Sequence, residues 1–165
     1  MERILIIGLN GSGKSTFANK LGKKLNLEVT HLDKIYYEPG WKHIQTKEEW
    51  RQTIAELVFK EKWIIDGQYS STLDIRMPAA DTIIYFDFKK LFCLYRIVKR
   101  IFDRSQPFDK AEGNFNRLSW DLIKKVVRFP KKYVLERIRP YENTKKIFIV
   151  KNNKEAEELL AKLIA

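Results

Sequence analysis

One cysteine, Cys93, stands in 165 residues, so no internal disulfide can form and no multi-cysteine zinc site can be assembled. It lies in an apolar, helix-like stretch and reads as a core filler. The only histidines, His31 and His43, lack metal-ligand companions at useful spacing, and His31 reads as structural. No run reaches the roughly 18 uninterrupted apolar residues that a membrane span needs. The chain starts Met-Glu-Arg and goes straight into the apolar residues 4–7, a stretch too short for a secretory signal and without a small-residue cleavage site. A soluble, cytoplasmic protein is the expectation. Repeats, linkers and low-complexity tracts are also missing, which points to one domain over residues 1–165, long enough to bury a core without staples.

Negative charge is in short supply too. There are 32 Lys and Arg against 21 Asp and Glu, a net charge of +11. The surplus is regional: between Lys89 and Arg139 stand 15 basic and 5 acidic residues. Such a field attracts arrays of negative charge, either polyphosphates or a nucleic-acid backbone. The alternative is a solvated basic surface.

What is present has a regular order. The apolar run Ile4-Leu5-Ile6-Ile7 fits a central parallel strand buried on both faces. A glycine-rich turn follows at once, and then Phe17, Ala18, Leu21 and Leu25 recur at helical spacing. A short strand near residues 29–32 leads to Asp33 and a loop through Pro39, Gly40 and Trp41. Thr46 and Glu49 have capping-box spacing ahead of a helix whose apolar face holds Trp50, Ile54, Leu57 and Val58. Residues 63–67 and 82–88 read as buried strands, 91–101 as a helix, 105–116 as a polar loop, and 118–129 as a helix stopped by Pro130. A last strand over 146–150 and a last helix over 154–164 complete the pattern. About five strands alternating with helices predict an open α/β fold with a mostly parallel sheet and a ligand crevice at the strands' carboxyl ends.

The chemistry concentrates at Gly8-Leu9-Asn10-Gly11-Ser12-Gly13-Lys14-Ser15, which matches G-x-x-x-x-G-K-[ST] in full, with Thr16 behind it. Glycines let successive backbone N–H groups curl around phosphates, and the helix N-terminus adds its positive end. Lys14 reaches the β and γ phosphates, and Ser15 holds magnesium. Gly8, Asn10, Gly11, Ser12, Gly13, Lys14, Ser15 and Thr16 are therefore the expected cradle for ATP or another nucleoside triphosphate. Asp66, at the end of an apolar strand with Gly67 next, is the expected carboxylate for the magnesium ion. Its alternative is a turn-forming Asp. Asp33 is a second candidate, for metal or as the base that takes a proton from an acceptor hydroxyl.

Arg96 and Arg100 are four apart and share a helix face, with Arg104 one turn on. Arginines carried by a mobile segment stabilise the charge of a phosphoryl-transfer transition state, and the polar loop after them reads as a lid near 103–117, with Arg117 at its far side. An exposed basic helix face is the competing reading. Trp50, Trp63 and Trp120 fall in apolar patterns and read as core, whereas Trp41 is placed to line an acceptor pocket.

On these residues the chain resembles the adenylate-kinase-like small P-loop kinases over nearly its whole length, and among them the bacterial group named DNA topology modulation proteins (FlaR-related). The likeness rests on residues 8–16, His31-Leu32-Asp33, Pro39-Gly40-Trp41, Trp63-Ile64-Ile65-Asp66-Gly67-Gln68-Tyr69, Ala80-Asp81 with the strand to Asp87, Cys93-Leu94-Tyr95-Arg96 and Lys99-Arg100. It implies a three-layer P-loop fold with an acceptor-binding insert near 34–60 and a short lid without zinc cysteines. It also implies that Arg96 and Arg100 face ATP and the transferred phosphate. Adenylate kinases follow the Asp-Gly with Phe-Pro-Arg, whose arginine binds a monophosphate. Here Gln68, Tyr69 and Ser70 occupy that segment, and Arg76 is the candidate substitute.

Two functions follow. The first is a magnesium-dependent phosphotransferase in which Lys14, Arg96 and Arg100 stabilise the migrating phosphoryl group and Asp33 handles a small acceptor near Trp41 and Arg76. The second is a DNA-binding P-loop ATPase or regulator using the basic 89–139 region. It ranks lower because no helix-turn-helix, zinc finger or aromatic stacking platform is apparent.

Overall fold

The computed structural model describes the backbone of residues 1–38, 42–43, 46–102 and 120–164, and the side chains of 1–36, 46–99 and 123–164. Five strands form one sheet: β1 (Arg3–Gly8), β2 (Val29–His31), β5 (Trp63–Asp66), β6 (Thr82–Phe86) and β7 (Lys146–Val150). Their order is β2-β5-β1-β6-β7, and every pairing in it is parallel. The open parallel α/β sheet expected from the strand runs is the one observed. Between them lie α1 (Lys14–Leu25), the short α2 (Leu32–Tyr36), a two-residue hairpin of β3 (Tyr37–Glu38) and β4 (Lys42–His43), and α3 (Lys47–Phe59). After β5 come α4 (Leu73–Ala79), α5 (Lys90–Phe102), α6 (Trp120–Val127), α7 (Lys131–Ile138) and, last, α8 (Asn153–Ile164).

Why the strands read as unbroken apolar runs is visible in β1. Successive side chains point to opposite faces of a sheet, and both faces are covered. Ile4 and Ile6 join one buried cluster with Phe17 and Leu21 of α1, Cys93 and Ile97 of α5, and Leu159 of α8. Leu5 and Ile7 join the other, with Trp50 and Ile54 of α3, Leu73 and Met77 of α4, and Val134 and Ile138 of α7. Each such side chain contributes about 1.5–3 kcal/mol by leaving water, so β1 is fixed from both sides. Cys93, Trp50 and Trp63 are core residues, as their patterns predict.

The capping box forms as spaced. The Glu49 N–H donates to Thr46 Oγ1 at 3.2 Å and the Thr46 N–H to Glu49 Oε2 at 2.8 Å, satisfying two orphan donors at the start of α3. Three elements depart from the sequence reading. The second strand stops at His31 and Asp33 lies in the first turn of α2. Helix α4 follows β5 after a 3-10 turn, and α7 follows Pro130. The region of the expected insert contains α2, the hairpin and α3. The expected lid, with Arg104 and Arg117, lies outside the described residues, as does Trp41. No helix among the described residues is long and apolar enough to cross a membrane.

Candidate functional site

The carboxyl ends of β1, β2 and β5 stand side by side, with Gly8, His31 and Asp66 at their tips. Parallel strands put such ends at one edge of the sheet, where the loops to the following helices build a crevice. The loop after β1 turns within residues 9–13 and enters α1 at Lys14. Three glycines, Gly8, Gly11 and Gly13, have positive φ there. Gly8 has φ +135° and a Cβ on it would lie 2.5 Å from the Phe86 carbonyl oxygen, so no other residue fits between β1 and β6. Gly13 has φ +97° and would bring a Cβ to 3.3 Å from Arg96 Nη1.

Inside the loop, donors crowd one acceptor. The Leu9 carbonyl receives the Ser12 N–H at 3.2 Å, the Ser12 hydroxyl at 2.7 Å and Lys14 Nζ at 2.8 Å. Lys14 is only 7% exposed, so its ammonium stays beside the loop and does not project into water. Asn10, Ser15 and Thr16 are exposed, and Gly11 is half-buried.

Asp66 organises the floor. Its Oδ2 accepts the Ser15 hydroxyl at 2.6 Å and lies 2.9 Å from His31 Nδ1. With Asp66 ionised, Nδ1 carries the proton and donates. The other ring nitrogen, Nε2, is 2.8 Å from Asn19 Oδ1. His31 and Asp66 are both buried, and Asp66 Oδ1 has no hydrogen-bond partner among the described residues. A buried, unpaired carboxylate oxygen costs on the order of 1–3 kcal/mol. An unpartnered carboxylate oxygen on the residue that also binds Ser15 suits a hydrated magnesium ion, which takes one or two protein oxygens and fills its octahedron with water and phosphate. Among the described residues no group of three or more His, Cys, Asp or Glu could hold a metal on its own.

Next to this floor is a second cluster. Gln68 Oε1 accepts the Gly8 N–H at 2.9 Å, tying the segment after β5 to the start of the phosphate loop. Tyr69 adopts φ +25°, unusual for a residue with a side chain. Its hydroxyl donates to Asp33 Oδ1 at 2.6 Å. The Tyr69 ring lies 4.9 Å from that of Tyr36 and 5.1 Å from that of Trp50, and Tyr36 and Trp50 are 4.8 Å apart.

Arg76 holds this segment from behind. It is fully buried, with Nε donating to Thr72 Oγ1 at 3.1 Å and Nη1 to the Gly67 carbonyl at 2.7 Å. Its Nη2 donates to the carbonyls of Gln68 at 2.8 Å and Tyr69 at 2.7 Å. Burial pulls its pKa down, and Tyr69, Asp66 and Asp74 oppose that pull. The guanidinium is thus bonded to the carbonyls of the loop whose shape it holds.

Arg96, on α5, reaches the phosphate loop. Its Nη1 donates to the Ser12 carbonyl at 3.3 Å and to Asn153 Oδ1 at 3.2 Å. Arg100 follows one turn on in α5, and its side chain is outside the described set. Gln68, Tyr69 and Asn19 are site neighbours to which the sequence reading gave no role, and His31, read as structural, is bonded between Asp66 and Asn19. One signal was available for Asn19: it is four residues after Ser15, hence on the same face of α1.

Known protein families give no match to this chain, and neither do curated proteins. Solved structures do. The chain is similar to a gluconokinase from Sinorhizobium meliloti 1021, with 17% identity, a TM-score of 0.57, and 99% of this chain and 93% of the other covered. Against shikimate kinase from Bacteroides thetaiotaomicron the identity is 16%, the TM-score 0.54, and the coverage 98% and 95%. Against deoxyadenosine kinase from M. mycoides, solved with bound dCTP, these values are 18%, 0.53, and 97% of each chain. At such identities the likeness is one of fold, the parallel α/β fold of P-loop proteins, with which the expected adenylate-kinase-like class is consistent.

Proposed function

We propose that this protein is a magnesium-dependent phosphotransferase that moves the γ-phosphate of ATP, or of a related triphosphate, to a small hydroxyl-bearing acceptor. The observation that carries the reading is the contact of Asp66 with Ser15 at 2.6 Å at the root of a complete phosphate loop. It joins the two groups that a bound magnesium needs to the amides that cradle phosphates. The fold neighbours, all described as small-molecule kinases, support the same reading. The likeness to the DNA topology modulation group belongs to this proposal as well.

Each side chain then has a role. The loop amides and the N-terminus of α1 bind the phosphates, and Lys14 leaves Leu9 for the β and γ oxygens. Asp66 and Ser15 would hold a magnesium ion, which would supply neutralising positive charge. Arg96, already against the loop, is joined by Arg100 in stabilising the transferred group, with Arg104 and Arg117 closing over it. The acceptor oxygen forms a bond to the γ phosphorus as the bond to the bridging oxygen breaks, and the acceptor's proton passes to the Asp33 carboxylate. Tyr69, donating to Asp33, holds that carboxylate in place. Trp41 borders the acceptor, and Arg76 acts through the loop it holds. The DNA-binding reading rests on the basic 89–139 region alone.

Titration calorimetry tests triphosphate binding. ATP with magnesium should bind the wild-type chain, and Lys14→Ala should weaken it by about 100-fold or more while the fold melts normally. Equal binding by the two chains overturns the reading.

A further inference from the structure

Resting on the phosphotransferase reading, we propose that the acceptor is a nucleoside: an uncharged, ring-bearing alcohol whose hydroxyl meets Asp33 and whose flat face meets the Tyr36–Trp50–Tyr69 cluster.

The juxtaposition is the starting point. One side chain, Tyr69, belongs to both halves, since its hydroxyl is on Asp33 and its ring is against Tyr36 and Trp50. Tyr36 and Tyr69 are half-buried and so keep surface open to solvent, and the buried Trp50 backs them. Asp33 is exposed. A carboxylate beside aromatic surface recognises a ligand that donates hydrogen bonds and offers a ring to stack. Sugar hydroxyls and base of a nucleoside provide these on one molecule.

Charge argues against an anionic acceptor. A monophosphate or a sugar acid needs a free cation, usually a forked arginine. Two arginines of this neighbourhood, Arg76 and Arg51, have their guanidinium groups committed to the protein. Arg76 is spent on the Gly67, Gln68 and Tyr69 carbonyls. Arg51 pairs with both carboxylate oxygens of Asp74, at 3.2 and 2.7 Å, and with the Ser71 carbonyl at 2.6 Å. An anion would instead meet the Asp33 carboxylate, a like-charge contact that selects against it.

The cost of placing Tyr69 points the same way. A non-glycine residue at φ +25° is strained, and such strain persists where surrounding contacts over-determine it, often at ligand sites. Here Arg76 and Thr72 both bind the Tyr69 carbonyl, Thr72 through its N–H at 3.1 Å and its hydroxyl at 3.2 Å.

The test is titration calorimetry on the full chain, with and without saturating magnesium and the non-hydrolysable β,γ-methylene analogue of ATP. The probes are adenosine, guanosine, cytidine and thymidine, their 5′-monophosphates, gluconate and shikimate. At least one nucleoside should bind about tenfold or more tightly than its own monophosphate and than either acid. Tyr69→Ala and Asp33→Asn should each weaken it by about tenfold, and Tyr69→Phe, which keeps the ring, by less. Tighter binding of a monophosphate or an acid, or no binding of any nucleoside, overturns the inference. Failure of the ATP analogue to bind overturns the phosphotransferase reading instead, and the titrations without analogue still decide the acceptor class.

Discussion

The placement of Lys14, Ser15 and Asp66 near one another was legible in the sequence because the constraints on them are local. A phosphate loop fixes its residues by spacing, and a carboxylate at the end of an apolar strand beside that loop has few other places to go. Arg76 was not readable in the same way, since a charged side chain is expected at the surface. Its burial becomes intelligible from Leu73, Met77 and Ala80, which are buried with it at helical spacing. The pairing of Tyr69 with Asp33 joins residues 36 apart in sequence and had no local signal at all. At this scale the sharpest prediction concerns Asp66. Asp66→Asn turns an acceptor of two donors, Ser15 and His31, into a group that can present an amide N–H to one of them. Unfolding in urea should show a loss of about 1–3 kcal/mol, and magnesium should no longer tighten ATP binding.

The elements divide by length and cap. Helix α3 announced itself by Thr46 and Glu49, and β7 by an apolar run bounded by charged and polar residues. Helices α2 and α4, of 5 and 7 residues, are too short to develop a full periodic pattern. The segment from β5 through α4 depends on Arg76, so Arg76→Met removes the guanidinium donors from the carbonyls of Gly67, Gln68 and Tyr69, of which Tyr69 alone keeps its bonds from Thr72. Chemical denaturation should show a loss of about 2–4 kcal/mol. Arg76→Lys should recover little of it, because an ammonium cannot reproduce the fork.

The opposite end of the sheet carries a pH-dependent tie. Asp81 Oδ2 accepts the N–H groups of Glu2 and Arg3 at 2.7 and 2.9 Å, joining the start of β1 to that of β6. Burial pushes the Asp81 carboxyl up, but hydrogen bonds from Thr82, Glu2 and Arg3 outweigh it and hold the pKa below the usual value. A carboxyl depressed in the folded state stabilises the fold above its ordinary pKa and loses that contribution as pH falls through the folded one. Urea midpoints should therefore show Asp81→Asn less stable than wild type at pH 7, and the gap should close as pH falls below the ordinary Asp value of about 3.9 and through the depressed folded one.

For the whole molecule, strand and helix alternation was enough to give an open parallel sheet, because β1 with covered faces on both sides can be nothing else. The strand order was not legible, since it depends on which strands meet across the sheet. That order brings Gly8, His31 and Asp66 to neighbouring strand tips, so the loop after β1, the carboxylate proposed for magnesium and the Asp33–Tyr69 pair lie at one edge of the sheet. The architecture thus argues for a reaction between two bound molecules, a triphosphate on the loop and an acceptor beside it. Transfer of label decides that claim most directly. With ATP labelled at the γ-phosphate, magnesium and a panel of nucleosides, nucleotides and small alcohols, the wild-type chain should move label into an organic product. Lys14→Ala should do so at least about 100-fold more slowly. Label that appears only as inorganic phosphate with every acceptor, or transfer unchanged by Lys14→Ala, would contradict the account.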